Sequence, residues 1–327
     1  MTDTMSAFKI AEHARYIDEV AVSSSPQRLS TLLKVLEAQG QSIVAPSQRS
    51  GLHPLVVPLS SGTDKADGGD SITGLLRWPD STSRGMPVVQ MGRGGRQVML
   101  LARSIDEYLH RALAEEDVQG SSSSVREAAG AEGDAVMPQG ALKESGLSST
   151  DAYLTRKAGM YCDVVERLAK NHLERGDKMS ALITAEWYMR KNHFPGWARP
   201  FEFNALLYDS IGRHEEARDG ARVALRFPWW SLRSSFQEIQ KLAQLEGSAK
   251  EVQDKLDMAS SISKNGIPPG MAAARSPNQI AMDAADFLLN TVAAGESDWD
   301  AIRAPLADKY AEAGLSAVAD FVRLESA

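Results

Sequence analysis

The sequence predicts an α+β N-terminal domain with a small antiparallel sheet over residues 1–118, and an all-α helical-repeat C-terminal domain over residues 151–327. A disordered linker, residues 119–150, is expected between them. Three observations carry this division. Short apolar runs separated by turn residues fill positions 53–102, a Ser-, Gly- and Ala-rich stretch without aromatics follows at 119–150, and the second half repeats itself at a fixed offset.

Two helices open the chain, at 7–22 and 27–39. In "SPQRLSTLLKVLEAQGQ", Ser25 is the expected N-cap, Pro26 sits in the first turn and Gly40 lies past the end. Leu29, Leu32, Leu33 and Leu36 recur at helical spacing and mark one core-facing side. Four strands are then expected, in "HPLVVPL" (53–59), "SITGLLRW" (71–78), "MPVVQM" (86–91) and "RQVMLLA" (96–102). "GRGGR" (92–96) supplies the glycines of a tight hairpin between the last two. It is not a dinucleotide fingerprint, because a strand and not a helix N-terminus follows it. "SIDEYLHRALAEED" (104–117) reads as an amphipathic helix, with Ser104 as cap, Glu107 completing a capping box, and Ile105, Leu109, Ala112 and Leu113 on the buried stripe.

In the second half, Gly176, Ala181 and Ala185 align with Gly212, Ala217 and Ala221, each pair 36 residues apart. Ala205, Tyr208, Gly212, Ala217, Ala221 and Ala224 resemble the tetratricopeptide pattern of about 34 residues, and Pro228 closes the unit one position early. Small residues let two antiparallel helices approach closely, the tyrosine fills the space beside them, and the glycine permits the turn between them. Tyr310, Gly314 and Ala319 echo the same spacing, and helical stretches at 231–246, 249–263 and 278–293 lie between, with a break at "NGIPPG" (265–270). Asn204 departs from the pattern, which places a large residue there.

Composition excludes several functions. The apolar (43%) and charged (24%) fractions are those of an ordinary soluble globular protein. Net charge is −7 and evenly spread, so no segment has the basic excess of a general nucleic-acid binder. The single cysteine, Cys162, rules out an intrachain disulfide and a multi-cysteine metal site. The six histidines are scattered, and no serine stands in a strand-to-helix elbow, so neither a metal nor a catalytic nucleophile is indicated. No catalytic residue, cofactor or metal is assigned, and a non-enzymatic role is expected. No apolar run spans a membrane. The N-terminus lacks a signal core, and its acidic residues argue against an attached transit peptide.

Two aromatic segments are the candidate partner-binding residues. "EWYMRKNHFPGWARPFEF" (186–203) interleaves Trp187 and Trp197 with Arg190, Lys191 and Arg199, and "ALRFPWWSLR" places Trp229 and Trp230 after a helix-stopping proline. Rings at such a helix end pack over the core or, where exposed, anchor a protein partner. Rings interleaved with cations also suit single-stranded RNA. A scaffold, adaptor or assembly factor binding a protein through the helical half is the favoured role, with an RNA-associated factor using 186–203 as the alternative. The phrases "LHPLVVPLS", "SITGLLRWP", "MPVVQM", "VMLLARSIDEYLHRALAEED" and "EARDGARVALRFPWWSL" resemble a little-characterised family of soluble proteins of plant and algal plastids. That resemblance implies a stromal location, where without it a cytoplasmic one is expected; it brings no known activity and transfers no catalytic residue.

Overall fold

The computed structural model describes residues 2–63, 69–80, 85–120, 123–190, 193–265 and 276–323. It divides into two compact units, residues up to 95 with 99–168, and residues 96–98 with 169–323.

The first unit is α+β. Helices α1 (Thr2–Glu19) and α2 (Leu29–Ala38) precede five strands, β1 (Ser42–Ile43), β2 (Val56–Thr63), β3 (Asp70–Leu76), β4 (Val88–Gly92) and β5 (Met99–Ala102). The strands form one antiparallel sheet in the order β1-β2-β3-β4-β5. Short β1 is an addition to the expected set. Pro58, which has no N–H for a ladder, stands where the β2–β3 register shifts. The predicted leucine face of α2 is correct, since Leu29, Leu32, Leu33 and Leu36 are all buried. The predicted cap is not. The helix begins after Arg28, which takes a left-handed conformation (φ 60°) and makes no side-chain cap, while the Ser25 N–H donates to Asp18 instead. Ser104 does cap helix α3 (Ile105–Gln119), accepting from the Glu107 N–H at 3.2 Å. The Glu107 carboxylate turns to Arg103 rather than back to Ser104, so the capping box is left half-made.

The largest departure lies at 119–150. Where a disordered linker is expected, the described residues form α4 (Ser124–Val136), α5 (Ala141–Glu144) and the start of α6 (Thr150–Tyr153). Helix α4, kinked at Gly130, packs on α2 and α3 through buried Val125, Ala129 and Gly133. Its first N–H groups are held from outside the segment, as the Glu116 carboxylate accepts from Val125 and Arg126 at 2.8 and 2.9 Å. The Arg126 guanidinium reaches Asp134 (2.9 Å), Asp117 (3.2 Å) and the Met137 carbonyl (3.0 Å). A π-helical turn (Leu154–Ala158) leads to α7 (Cys162–Glu174), whose first turn is gripped by Arg111 through two 2.7 Å bonds to Asp163.

The second unit is helical. It contains the end of α7, then α8 (Lys178–Tyr188), α9 (Arg199–Ser210), α10 (His214–Ala224), a 3-10 turn (Trp229–Ser231), α11 (Phe236–Leu242), α12 (Ala249–Asn265), α13 (Pro277–Ala293), α14 (Trp299–Glu312) and α15 (Ser316–Arg323). The expected break at 265–270 lies, beyond Asn265, outside the described residues. The α7/α8, α9/α10 and α14/α15 connections share one turn. Gly176, Gly212 and Gly314 have φ of 80°, 82° and 81°, and each donates to the carbonyl three residues back. The following N–H groups (Asp177, Arg213, Leu315) each reach five residues back, to His172, Tyr208 and Tyr310. Ala205, Ala217, Ala221 and Ala224 are fully buried between α9 and α10. The approach is close enough that a β-carbon on Gly220 would lie 3.2 Å from the Ala205 Cβ. Among the described residues no helix is long and apolar enough to cross a membrane.

Candidate partner-binding surface

The paired tryptophans are core. Pro228 ends the approach to the 3-10 turn, and Trp229 is fully buried, stacked on Phe236 with ring centroids 4.3 Å apart. Its indole N–H donates to the Leu225 carbonyl at 2.8 Å, and its backbone N–H to Asn290 Oδ1 at 2.9 Å. Both N–H groups of Trp229 therefore have a partner, as a buried indole requires. Trp230 is 2% exposed and meets the edge of Trp197, itself 3% exposed, at 5.6 Å. The Ser231 hydroxyl ties the two segments together, accepting from the Ala198 N–H at 2.8 Å.

Burial also takes most of 186–203 away from solvent. Tyr188 packs edge-on against Phe194 and Phe203, and Arg199 is 5% exposed at the start of α9. The Glu202 carboxylate turns inward and accepts from the Arg233 and Ser234 N–H groups at 2.6 and 2.7 Å. Of the seven residues singled out in the sequence, four (Trp197, Arg199, Trp229 and Trp230) are thus buried within the fold. Trp187 is half-buried over His193, whose ring it meets at 4.9 Å, and Arg190 is exposed. Lys191 lies outside the described residues.

What α8 does present is an apolar ridge that the sequence reading passed over. Met179 and Ile183, one turn apart, are 68% and 58% exposed, and Trp187 continues the row a further turn on. The opposite side of the helix, Ala181, Ala185 and Tyr188, is buried. The sequence "KMSALITAEWY" carries the signal: small residues suffice to pack one face, so the large side chains at 179 and 183 have no place on it. Glu186 and Arg190 stand exposed at the rim, and nearby Arg213 pairs with Glu216 at 2.9 Å. The Glu216 hydrogen bond shifts the Arg213 guanidinium above its ordinary pKa, with Glu186 adding in the same direction. Solvated charges around a row of apolar side chains form a surface suited to a protein partner, in which the apolar row is desolvated on binding and the rim sets specificity.

Three family models match consecutive parts of the chain: PAB N-terminal at residues 11–157, PAB middle domain at 162–249 and PAB C-terminal domain at 256–325. The α8 ridge and the tryptophan turn both fall in the middle one. A curated relative, Protein IN CHLOROPLAST ATPASE BIOGENESIS, chloroplastic, from Arabidopsis thaliana, is 39% identical over 312 residues, covering 95% of this chain and 90% of the relative. No solved structure matches. The three models in order, and the identity carried over nearly the whole length of both proteins, show that the chain belongs to the PAB family.

Proposed function

We propose that this chain is a non-catalytic assembly factor in the biogenesis of the chloroplast ATPase, acting in the plastid stroma and binding a protein partner through its helical half. The observation that carries the proposal is the 39% identity, over 95% of the chain, to a chloroplastic relative whose name places it in chloroplast ATPase biogenesis. The relative's name speaks of biogenesis and of no reaction, in line with a sequence that offers no catalytic set.

The helical half is read as a tetratricopeptide-like adaptor. Three helix pairs turned by equivalent glycines support this reading, as do the fully buried alanines at 205, 217, 221 and 224. On this reading the α8 ridge of Met179, Ile183 and Trp187, rimmed by Arg190, is the contact surface. Complementation tests the proposal. Expressed in Arabidopsis thaliana plants that lack the relative, with a plastid-targeting leader, this chain should restore the level of assembled chloroplast ATPase. Plants that accumulate the protein in the plastid and stay deficient would refute it.

A further inference from the structure

Residues Arg96–Val98 stand between β4 and β5 in the chain but belong to the helical unit. The expected tight hairpin is in fact a six-residue connection, Arg93 to Val98, whose second half, an arm, bends at Arg96 before β5 begins. Val98 is fully buried, and its N–H donates to the Trp230 carbonyl at 2.7 Å. Two residues earlier, the Arg96 guanidinium covers Gly295, so closely that a β-carbon there would stand 2.6 Å from its Nη1. Gly295 follows the C-terminus of α13 (φ 80°), so the guanidinium lies where the helix ends in partial negative charge.

The walls of this seat are joined to each other without the arm. Asn290 of α13 holds the Trp229 N–H at 2.9 Å, and Gln237 of α11 donates to the Ala294 carbonyl at 2.7 Å. Trp197 braces Trp230 from the side. A preformed seat that offers the Trp230 carbonyl to a backbone N–H and a helix C-terminus to a guanidinium is complementary to a peptide that supplies both. The spacing fixes the chemistry: a cation two residues before a buried β-branched side chain. One buried valine, one backbone hydrogen bond and one surface guanidinium hold the present occupant.

We propose that this seat is a binding site for a peptide segment of the form Arg-x-Val, and that residues 96–98 fill it in cis until a partner segment of the same chemistry takes their place. The inference does not rest on the α8 ridge or on a role in ATPase biogenesis. An arm tethered at millimolar effective concentration excludes a micromolar ligand, so weakening the arm should reveal the site. The probe is a fluorescein-labelled peptide of residues 94–100, Gly-Gly-Arg-Gln-Val-Met-Leu, titrated by anisotropy into the full chain. Val98→Ala and Arg96→Glu should each bind it at least tenfold more tightly than wild type, and a scrambled peptide should not bind. Adding Gly295→Ala, which places a β-carbon where the guanidinium sits, should reverse the gain. Arg96 is exposed, so its variant decides the matter if Val98→Ala lowers the melting temperature substantially. Equal affinity of variants and wild type, no binding to a folded Arg96→Glu, or binding indifferent to Gly295→Ala would each overturn the seat.

Discussion

At the scale of single residues, the conformation of Gly212 gives the sharpest test of the helix pairs. Its φ of 82° is unfavourable for a residue with a β-carbon, and no atom lies within 4 Å of where that carbon would be. The cost of Gly212→Val is therefore in the backbone alone, about 1–2 kcal/mol. Ala217→Trp overpacks the fully buried contact with α9 and is expected to cost about 1–3 kcal/mol. Thermal melts check both, and wild-type melting for either would remove the helix-pair account. His110 supplies a pH dependence. Its Nε2 lies 3.0 Å from the Tyr153 hydroxyl, and burial lowers its pKa below that of the unfolded chain. The unfolded state therefore takes up the proton first as pH falls through about 6.5. Stability contributed by neutral His110 is lost below that pH, and His110→Gln should show a smaller drop in melting temperature between pH 7.5 and 5.5 than wild type. An unchanged drop would mean that other groups carry it.

Among the elements, α4 shows where sequence legibility stops. The glycine turns and the alanine face of α9/α10 were readable, because their spacing repeats and backbone chemistry demands those residue types. The segment 119–150 misled because its contacts are made by other means. Val125, Ala129 and Gly133 are small, so they bury little area each, and a composition lacking aromatics looks unable to order itself. What orders it comes from elsewhere: Glu116 caps α4 from α3, and Asp117 helps pin Arg126 from the same helix. No periodicity within the segment announces a cap donated from outside it. Arg126 is also only 12% exposed by side chain, with Asp117 at 18% and Asp134 at 59%. Removing it leaves Asp117 part-buried beside the empty space, a loss larger than that of a surface pair. Limited proteolysis of wild type should spare 124–136, whereas Arg126→Ala should open that stretch to rapid cleavage ahead of the helical unit. Equal resistance of the two proteins would show that packing on α2 and α3 orders α4 without the ion pairs.

For the molecule as a whole, fold class was legible while the exposure of the candidate site residues was not. Strand-and-turn texture and helical repeats gave α+β followed by all-α, but large aromatics drew the site reading toward Trp197, Trp229 and Trp230, which the fold encloses. Burial of a ring depends on which neighbours fold over it, and that information lies in Phe236, Asn290 and Leu225, far from the ring in sequence or silent in pattern. Met179 and Ile183 carry the opposite lesson, since they are large apolar residues left outside by a helix whose inner face is made of alanine. If the α8 ridge is the surface through which this protein acts, Met179→Ser with Ile183→Ser removes the two exposed aliphatic members of its row and leaves Trp187, while touching nothing buried. Such exposed changes are expected to alter stability by less than about 1 kcal/mol in total, so the melting temperature should stay within a few degrees of wild type. Complementation should nevertheless fail, with assembled chloroplast ATPase remaining at the level of plants that lack the relative, because truncating the apolar anchors of an interface removes most of its binding energy. Full restoration by the double variant, at equal protein level, would place the partner surface elsewhere on the chain.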